Sequence, residues 1–267
     1  MKHQQILDKL AARHMVQSAD EDLARLTWEI MTLSSSKNKS IEEQTEILIS
    51  KLLPRWNCIL TTNDKHISEH YKQRTYLALA VLLHKYGYKY EPITTNALKS
   101  IDLLNKDVVL SDDFYRKSDD IKAFLATEPD QLKRRPAMPE SITFYRPKDV
   151  ISIELDNKYY GAYIHSLTAP NENPIIEFYN KVFDKPPTME ELKKCKAKGS
   201  FYNDGTECIA KYSVRGMKFL PDLANQVKLI SSCENEPPSN NHLIKPVELY
   251  SVQDIFWIQN IIRGLFK

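Results

Sequence analysis

Glycine is scarce in this chain, which has six glycines among 267 residues. Loops that cradle phosphate depend on glycine, because only a bare backbone lets the amide groups approach the anion closely. The chain also contains no G-x-S-x-G, P-loop or G-x-G-x-x-G pattern. The sequence therefore favours neither a nucleotide-binding enzyme of these classes nor a hydrolase built on a nucleophile elbow.

Long apolar runs and paired cysteines are also missing. No run of eighteen apolar residues occurs, and the opening MKHQQILDKL lacks the apolar core of a signal peptide. We therefore expect a cytoplasmic protein without a membrane partner. The sequence has no C-x-x-C pair, and in a reducing compartment we expect free thiols at its four cysteines, Cys58, Cys195, Cys208 and Cys233.

The chain has no excess of one charge. Lysine and arginine number 37 against 35 acidic residues, which gives a formal net charge of +2. This balance provides no overall attraction to nucleic acid. The basic cluster Lys133–Arg134–Arg135 has no aromatic platform and no further clustered charge beside it. A nucleic-acid-binding regulator that uses this cluster is kept as an alternative, but no nucleic-acid partner is expected.

The composition is that of a globular protein, with 42% hydrophobic and 27% charged residues. Residues 1–130 carry apolar positions at helical spacing and predict a helical region. Its longest helix is predicted over residues 63–86, where the centre TYLALAVLLHKYGY is nearly all apolar and therefore belongs in a core. Two further helices are predicted over residues 95–105 and 118–126.

Capping boxes predict two more helix starts in this region. Ser18 and Glu21 are spaced as a capping box, in which each side chain bonds the other residue's backbone N–H. Ser40 and Glu43 repeat this spacing. Pro54 is predicted to end the helix that Ser40 begins, because proline inside a helix removes a hydrogen bond and clashes with the preceding turn.

A change of pattern follows these helices. The segment EPDQLKRRPAMPE is polar and contains three prolines, so we place a linker at residues 131–141. Residues 142–267 then show alternation with tight turns in place of helical periodicity. These patterns predict an α+β fold, in which a mainly helical N-terminal region is followed by a C-terminal domain with a twisted antiparallel sheet and flanking helices.

A β-hairpin is predicted at the start of the C-terminal domain. Apolar and polar residues alternate in VISIEL, which is the period of a half-buried strand. Asp156 and Asn157 supply the turn, because both residue types tolerate left-handed backbone. The two strands are expected at residues 150–155 and 159–165.

The segment PIIEFYNKVFDKPPTMEELKK predicts a further strand and then a short helix. Thr188 and Glu191 form a capping box, and the helix is expected to run to about Lys198. Asn203–Gly205 predicts a turn. A final helix is expected to begin at residues 251–254.

KDVISIEL…KYYGAYIH and PIIEFYNKVFDKPPTMEELKK are similar to the immunity protein 26 family of bacterial polymorphic-toxin systems. The resemblance covers residues 142–198 and continues more loosely to the C-terminus. Members of that family are small cytosolic proteins that bind and block a toxin made by the same cell. The resemblance implies a stoichiometric inhibitor of a cognate toxin domain, delivered by a contact-dependent or type VI secretion route, with neither enzymatic activity nor a cofactor.

The hairpin is the expected contact surface for the toxin. Interfaces concentrate their energy in a few aromatic or arginine anchors, and Tyr159 and Tyr163 share one face of the return strand. Acidic side chains around them would enter a basic toxin active site. Alternatively, the two tyrosines face inward and the toxin binds the first 130 residues. The expected toxin-binding residues are Asp156, Tyr159, Tyr163, His165, Glu177 and Asp184.

One pattern points to enzyme chemistry instead. His66-Ile67-Ser68-Glu69-His70 fits H-x-x-E-H, a zinc-binding signature of one metalloprotease class. On a helix, His66 and His70 would share one face and bind zinc, with Glu69 as general base. Spacing singles out no third ligand. A zinc-dependent hydrolase is thus an alternative, while the main expectation assigns no catalytic residue, no metal and no cofactor.

Overall fold

The computed structural model describes residues 1–201, 205–246 and 249–267. The chain forms two compact units, Met1–Pro139 and Glu140–Lys267. The boundary falls inside the segment predicted as a linker. The turn predicted at Asn203 and Asp204 lies outside the described residues.

The N-terminal unit is helical, as the sequence predicts. The centre of its core is the helix Glu69–Lys85, α5, in which every residue from 77 to 83 is buried. A helix that is apolar on all sides must be surrounded by other helices. The helices are α1 His3–Asp8, α2 Arg13–Thr32, α3 Ser34–Lys37, α4 Ile41–Leu60, α5 Glu69–Lys85, α6 Glu91–Lys106, α7 Asp112–Arg116 and α8 Ser118–Ala126.

Capping boxes predicted one helix start in this unit correctly and one wrongly. The Ser40 side chain accepts a hydrogen bond from the Glu43 backbone and the reciprocal bond is present, so α4 begins where expected. Ser18 instead lies buried inside α2. Apolar residues on both sides of Ser18, among them Met15 and Leu23, are buried along one continuous helix, and this packing overrides the local capping signal.

Three other helix ends differ from the predictions, and one of them is the start of α6, which lies at Glu91 and not at residue 95. Pro54 lies inside α4, which continues to Leu60. The turns after Pro54 bury Trp56 and Ile59, so their packing offsets the missing hydrogen bond. The predicted start of α5 at residue 63 is also wrong, because Ser68 is the N-cap and accepts a hydrogen bond from the backbone N–H of Tyr71 at 3.2 Å.

The C-terminal unit contains a six-stranded sheet in the order β7-β1-β2-β3-β6-β8. Neighbouring strands are antiparallel except β6 and β8, which are parallel. The α+β fold class is therefore confirmed. The elements are β1 Val150–Leu155, β2 Lys158–Leu167, β3 Pro174–Phe183, α9 Met189–Leu192, β4 Ser200–Phe201, β5 Glu207–Cys208, β6 Tyr212–Arg215, β7 Val227–Ser231, β8 Ser251–Asp254 and α10 Trp257–Leu265; β4 and β5 form a separate pair.

The β1–β2 hairpin forms at the predicted place. Leu155 pairs with Lys158, so the loop has two residues, Asp156 and Asn157. Their φ angles are +52° and +59°, as a type I′ turn requires at both central positions. This turn matches the twist of the two strands and fixes their register.

The two faces of the sheet are covered by different parts of the chain. On one face, Phe266 contacts Tyr160 and Phe178, with ring centroids 4.9 and 6.1 Å apart. On the other face, Leu192 of α9 packs in a cluster with Tyr163 and Tyr179. Both faces of the central strands are therefore interior.

The two C-terminal helices are shorter than the sequence predicts. The capping box at Thr188 is present, but α9 ends at Leu192 because the following backbone bonds β3: Asn180 N–H donates to Lys196 O and Lys198 N–H donates to Phe178 O. Residues 251–254 form β8, so a helix start there is wrong. Asp254 Oδ1 accepts a hydrogen bond from the N–H of Trp257 at 2.8 Å, and α10 begins at Trp257.

Within the described ranges, no helix combines the length and apolar character needed to cross a membrane.

Close packing at Gly161 gives a first testable prediction. A Cβ atom at Gly161 would lie 2.5 Å from Leu192 Cδ2 and 3.3 Å from Tyr179 Cδ2. We expect Gly161→Ala to lower the free energy of unfolding of the C-terminal unit by about 1–3 kcal/mol, through overpacking. Urea unfolding followed by hydrogen exchange in β1–β3 measures this change.

Gly264 provides the matched control, because a Cβ atom there meets nothing within 4 Å and the residue lies in α10. Gly264→Ala is expected to leave the unit equally stable or stabilise it by up to about 1 kcal/mol. Equal stability of the two variants would show that α9 does not pack as closely on β2 as the structure has it.

Candidate functional site

A buried carboxylate, Glu177, lies in the middle of β3 and is 0% exposed. Its Oε2 lies 2.7 Å from His165 Nε2, and its Oε1 accepts a hydrogen bond from Asn240 Nδ2 at 3.2 Å. Burial of a carboxylate is unfavourable unless donors replace water. These two side chains provide that replacement, and they join β2, β3 and a distant loop at one point.

The sheet register brings this group together. Tyr163 of β2 lies opposite Glu177, and His165 follows on the same strand face. The Tyr163 ring meets the His165 ring edge-on, with centroids 5.0 Å apart. Burial raises the pKa of Tyr163, so its hydroxyl stays protonated and donates to Glu234 O at 2.8 Å.

Residues 233–240, called the covering loop here, cross this face of the sheet. Besides the bonds from Tyr163 and to Glu177, the backbone of Ser239 accepts a hydrogen bond from Ala197 N–H, and Glu234 N–H donates to Lys148 O. Tyr163 is consequently only 4% exposed. The placement of Tyr163 and Glu177 on an open binding surface is wrong, because the chain's own loop and α9 cover them.

His165 keeps limited access to solvent, since its side chain is 19% exposed. A carboxylate that holds one ring nitrogen of a histidine is the arrangement that orients a general base. Here the carboxylate also binds Asn240, which anchors the covering loop. The geometry therefore indicates a structural role: His165 and Glu177 form a buried link between β2, β3 and the covering loop.

Two of the six expected toxin-binding residues, Asp156 and Asp184, lie at the exposed end of the hairpin. Asp184 is 88% exposed, and its pKa is lowered by a hydrogen bond from the Lys158 ammonium, whose Nζ lies 2.5 Å from Asp184 Oδ1. Asp156 accepts two hydrogen bonds from the Arg263 guanidinium, at 2.9 and 3.2 Å. Exposed ion pairs of this kind contribute little stability.

Tyr159 lies between this open end and the covered face. Its ring is half-buried, and the Lys228 ammonium lies 5.3 Å from the ring centroid. Lys228 also pairs with Glu154 at 3.4 Å. Sequence reasoning missed the basic residues of this surface. The two-residue turn would have pointed to Lys158, which follows it directly, but no local signal identifies Arg263, which lies 107 residues from Asp156.

The two histidines of the H-x-x-E-H pattern do not lie on one helix. His66 lies in the turn before α5, where its backbone N–H donates to Asp64 Oδ1 at 3.0 Å. His70 lies in the first turn of α5, with Nε2 3.0 Å from Asp107 Oδ2. The premise that both histidines share a helix face is wrong. Across the described chain, no three or more histidine, cysteine or acidic side chains are grouped to hold a metal ion.

One residue of the basic cluster Lys133–Arg134–Arg135 makes contacts inside the N-terminal unit. The Arg135 guanidinium lies 5.7 Å from the centroid of the Trp28 ring and donates to Thr32 Oγ1 at 3.3 Å. Stacking of this kind on an aromatic face is a common role of arginine.

The four cysteines are free thiols, as expected.

The buried link at Glu177 gives a second prediction. Glu177→Ala removes the partner of both His165 and Asn240, and we expect it to lower the free energy of unfolding of the C-terminal unit by about 3 kcal/mol. Glu177→Gln keeps an oxygen acceptor and should lose less. Urea unfolding of the purified variants measures both changes.

Exposed Glu172 supplies the control for this experiment, since Glu172→Ala removes a carboxylate from the surface of the same unit. That variant should unfold like the wild type. If Glu177→Ala also did so, the bonds to His165 and Asn240 would not hold the covering loop.

Comparison of the chain with protein-family models, with curated proteins and with solved structures returned no match. The resemblance of residues 142–198 to immunity protein 26 stays a prediction.

Proposed function

We propose that this chain is a cytoplasmic immunity protein that binds a cognate secreted toxin domain in a stoichiometric complex and blocks it by occupancy. The proposal rests on the resemblance of residues 142–198 to the immunity protein 26 family. These residues include β1, β2, β3 and α9, which pack together in one unit. A resemblance that spans one packed substructure is a stronger argument than one scattered over separate loops.

The open end of the hairpin is the contact surface in this proposal. We define the hairpin end as Asp156, Lys158, Tyr159, Asp184 and Arg263. It combines a half-buried aromatic ring with two acidic and two basic side chains in exposed ion pairs. Interfaces are often built in this way, with an aromatic or arginine anchor inside a polar rim.

The ion pairs of the hairpin end suit exchange with a partner. When a toxin presents a basic active site, its cations compete with Lys158 and Arg263 for the two carboxylates. The released lysine and arginine are then free to bind acidic groups at the rim of the toxin. Such exchange gives specificity and fast association, because it depends on the arrangement of charges and not on their sum.

The third prediction tests the function itself. Expression of the chain alone should be harmless, and co-expression should rescue cells from the toxin domain encoded by the neighbouring upstream gene, but not from unrelated toxins. Because the inhibitor acts by occupancy, rescue should require about one copy of the chain per toxin. Size-exclusion chromatography with light scattering then measures the stoichiometry of the complex.

Rescue at strongly sub-stoichiometric levels would contradict the proposal, since it would mean that the chain is an enzyme that reverses the damage. Failure to bind the neighbouring toxin domain at all would also contradict it.

The fourth prediction locates the contact. Asp156→Asn and Asp184→Asn remove charge without changing size, and asparagine tolerates the positive φ of position 156. We expect the double variant to lower the association rate constant with the toxin roughly tenfold at low salt, because Lys158 and Arg263 then lack their carboxylate partners and repel a basic toxin site. Surface plasmon resonance measures the rate.

Glu172→Gln is the matched control, because it removes an exposed carboxylate of the same unit away from the hairpin. It should leave the rate unchanged. Wild-type kinetics in the double variant would exclude the hairpin end, and the search would move to the helical unit. Tyr163→Ala is unsuitable here, since it alters the core.

A further inference from the structure

Six lysines fall within residues 181–198 of the C-terminal unit, together with three acidic residues and no arginine. The overall net charge of +2, which argues against a nucleic-acid partner, does not show this local excess of positive charge. The proposed function uses none of these lysines. We call them the lysine patch: Lys181, Lys185, Lys193, Lys194, Lys196 and Lys198.

Backbone pairing brings lysines of the patch together across two neighbouring segments. The N–H of Asn180 in β3 donates to Lys196 O at 2.9 Å. The N–H of Lys198 donates to Phe178 O at 2.8 Å. The segment after α9 therefore runs along β3, and Lys196 and Lys198, two residues apart, lie on one face of it. Lys181 follows Asn180 directly and extends the patch along β3.

Most of the lysine patch is not neutralised by the protein's own carboxylates. Lys198 lies 3.4 Å from Glu207, and Lys193 lies 3.9 Å from Glu234. In the part of the chain that the structure describes, the other four lysines have no carboxylate within ion-pair distance. These four side chains are exposed: Lys181, Lys185, Lys194 and Lys196.

Two of the three acidic residues in the same stretch are bound by other groups. Asp184 Oδ1 lies 2.5 Å from the ammonium of Lys158, which lies outside the patch. Glu191 accepts the N–H of Thr188 at 2.8 Å in the capping box of α9. The positive charge of the patch is therefore available to an external anion.

An exposed aromatic ring lies beside the lysine patch. Phe201 is 65% exposed, and the ammonium of Lys198 lies 5.3 Å from the centroid of its ring. A ring so exposed buries little area in the fold and can offer a flat face to a base. Proteins that bind single-stranded nucleic acid without sequence preference combine these two features, with cations on the phosphates and aromatic rings under the bases.

The lack of arginine indicates which kind of anion the patch fits. Protein interfaces are enriched in arginine and depleted in lysine, and the planar guanidinium suits paired bonds to a carboxylate. Lysine acts as a point charge, which binds a phosphate without fixing its orientation. A sugar–phosphate chain therefore fits the patch better than an acidic protein surface does. The Phe201 ring favours nucleic acid over lipid, because one ring can stack on a base, whereas a membrane-bound surface inserts a whole apolar face.

We propose that the lysine patch and Phe201 bind single-stranded nucleic acid without sequence preference. The exposed lysines bind successive phosphates, and one base stacks on the Phe201 ring. A duplex fits less well, because its bases are stacked on one another and not on a side chain. This activity requires no toxin, so it can fail or succeed independently of the proposed immunity function.

Fluorescence anisotropy of a labelled oligothymidylate, titrated with the full chain at several salt concentrations, tests the proposal. For about four neutralised phosphates, the logarithm of the affinity should fall with the logarithm of salt with a slope of about −3. The double variant Lys194→Gln/Lys196→Gln should bind at least about tenfold more weakly and lower the magnitude of this slope by about 1.4. Phe201→Ala should weaken binding about tenfold and leave the slope unchanged, because stacking releases no counterions.

Lys133→Gln/Arg134→Gln is the matched control, because it removes the same charge from exposed positions in the N-terminal unit. It should bind like the wild type, and circular dichroism should show all variants folded. Equal weakening in the two double variants would overturn the proposal, since binding would then follow net charge alone. Failure of the wild type to bind at low salt would also overturn it. So would tighter binding to a duplex, or binding to anionic phospholipid vesicles without binding to the oligonucleotide.

Discussion

The burial of Glu177 is the constraint on which the C-terminal unit depends. A carboxylate with no solvent exposure must be held by donors, and these come from His165 on the next strand and Asn240 in the covering loop. The loop therefore has to cross the sheet, and with α9 it closes the face that carries Tyr163. A sheet with both faces covered presents to a partner only its edges and the ends of its strands.

Local signals in the sequence predicted the parts of the fold that depend on neighbouring residues. The turn at Asp156 and Asn157 and the capping box at Thr188 involve groups at most three residues apart, so their energy is nearly independent of the rest of the chain. The same signals failed at Ser18 and Pro54. There, the burial of whole helices outweighs a cap or a missing hydrogen bond.

The candidate site was less predictable, because residues far apart in sequence form it. Alternation correctly placed Tyr163 and His165 on one face of a strand, but it contains no information about which face is covered. The contact of Asn240 with Glu177 spans 63 residues. For the same reason His66 and His70, close in sequence, lie on a turn and a helix, whereas His3 and His84 meet in space.

The ion pairs of the hairpin end explain how a nearly neutral chain can bind a charged partner in the proposed function. With a formal net charge of +2, the molecule has no long-range pull of either sign. At the hairpin end two acidic and two basic side chains neutralise one another across exposed pairs, Asp156–Arg263 and Lys158–Asp184. Their exchange with a partner changes no net charge, so affinity depends on whether the partner matches the pattern. Selective recognition of one toxin among many requires such dependence.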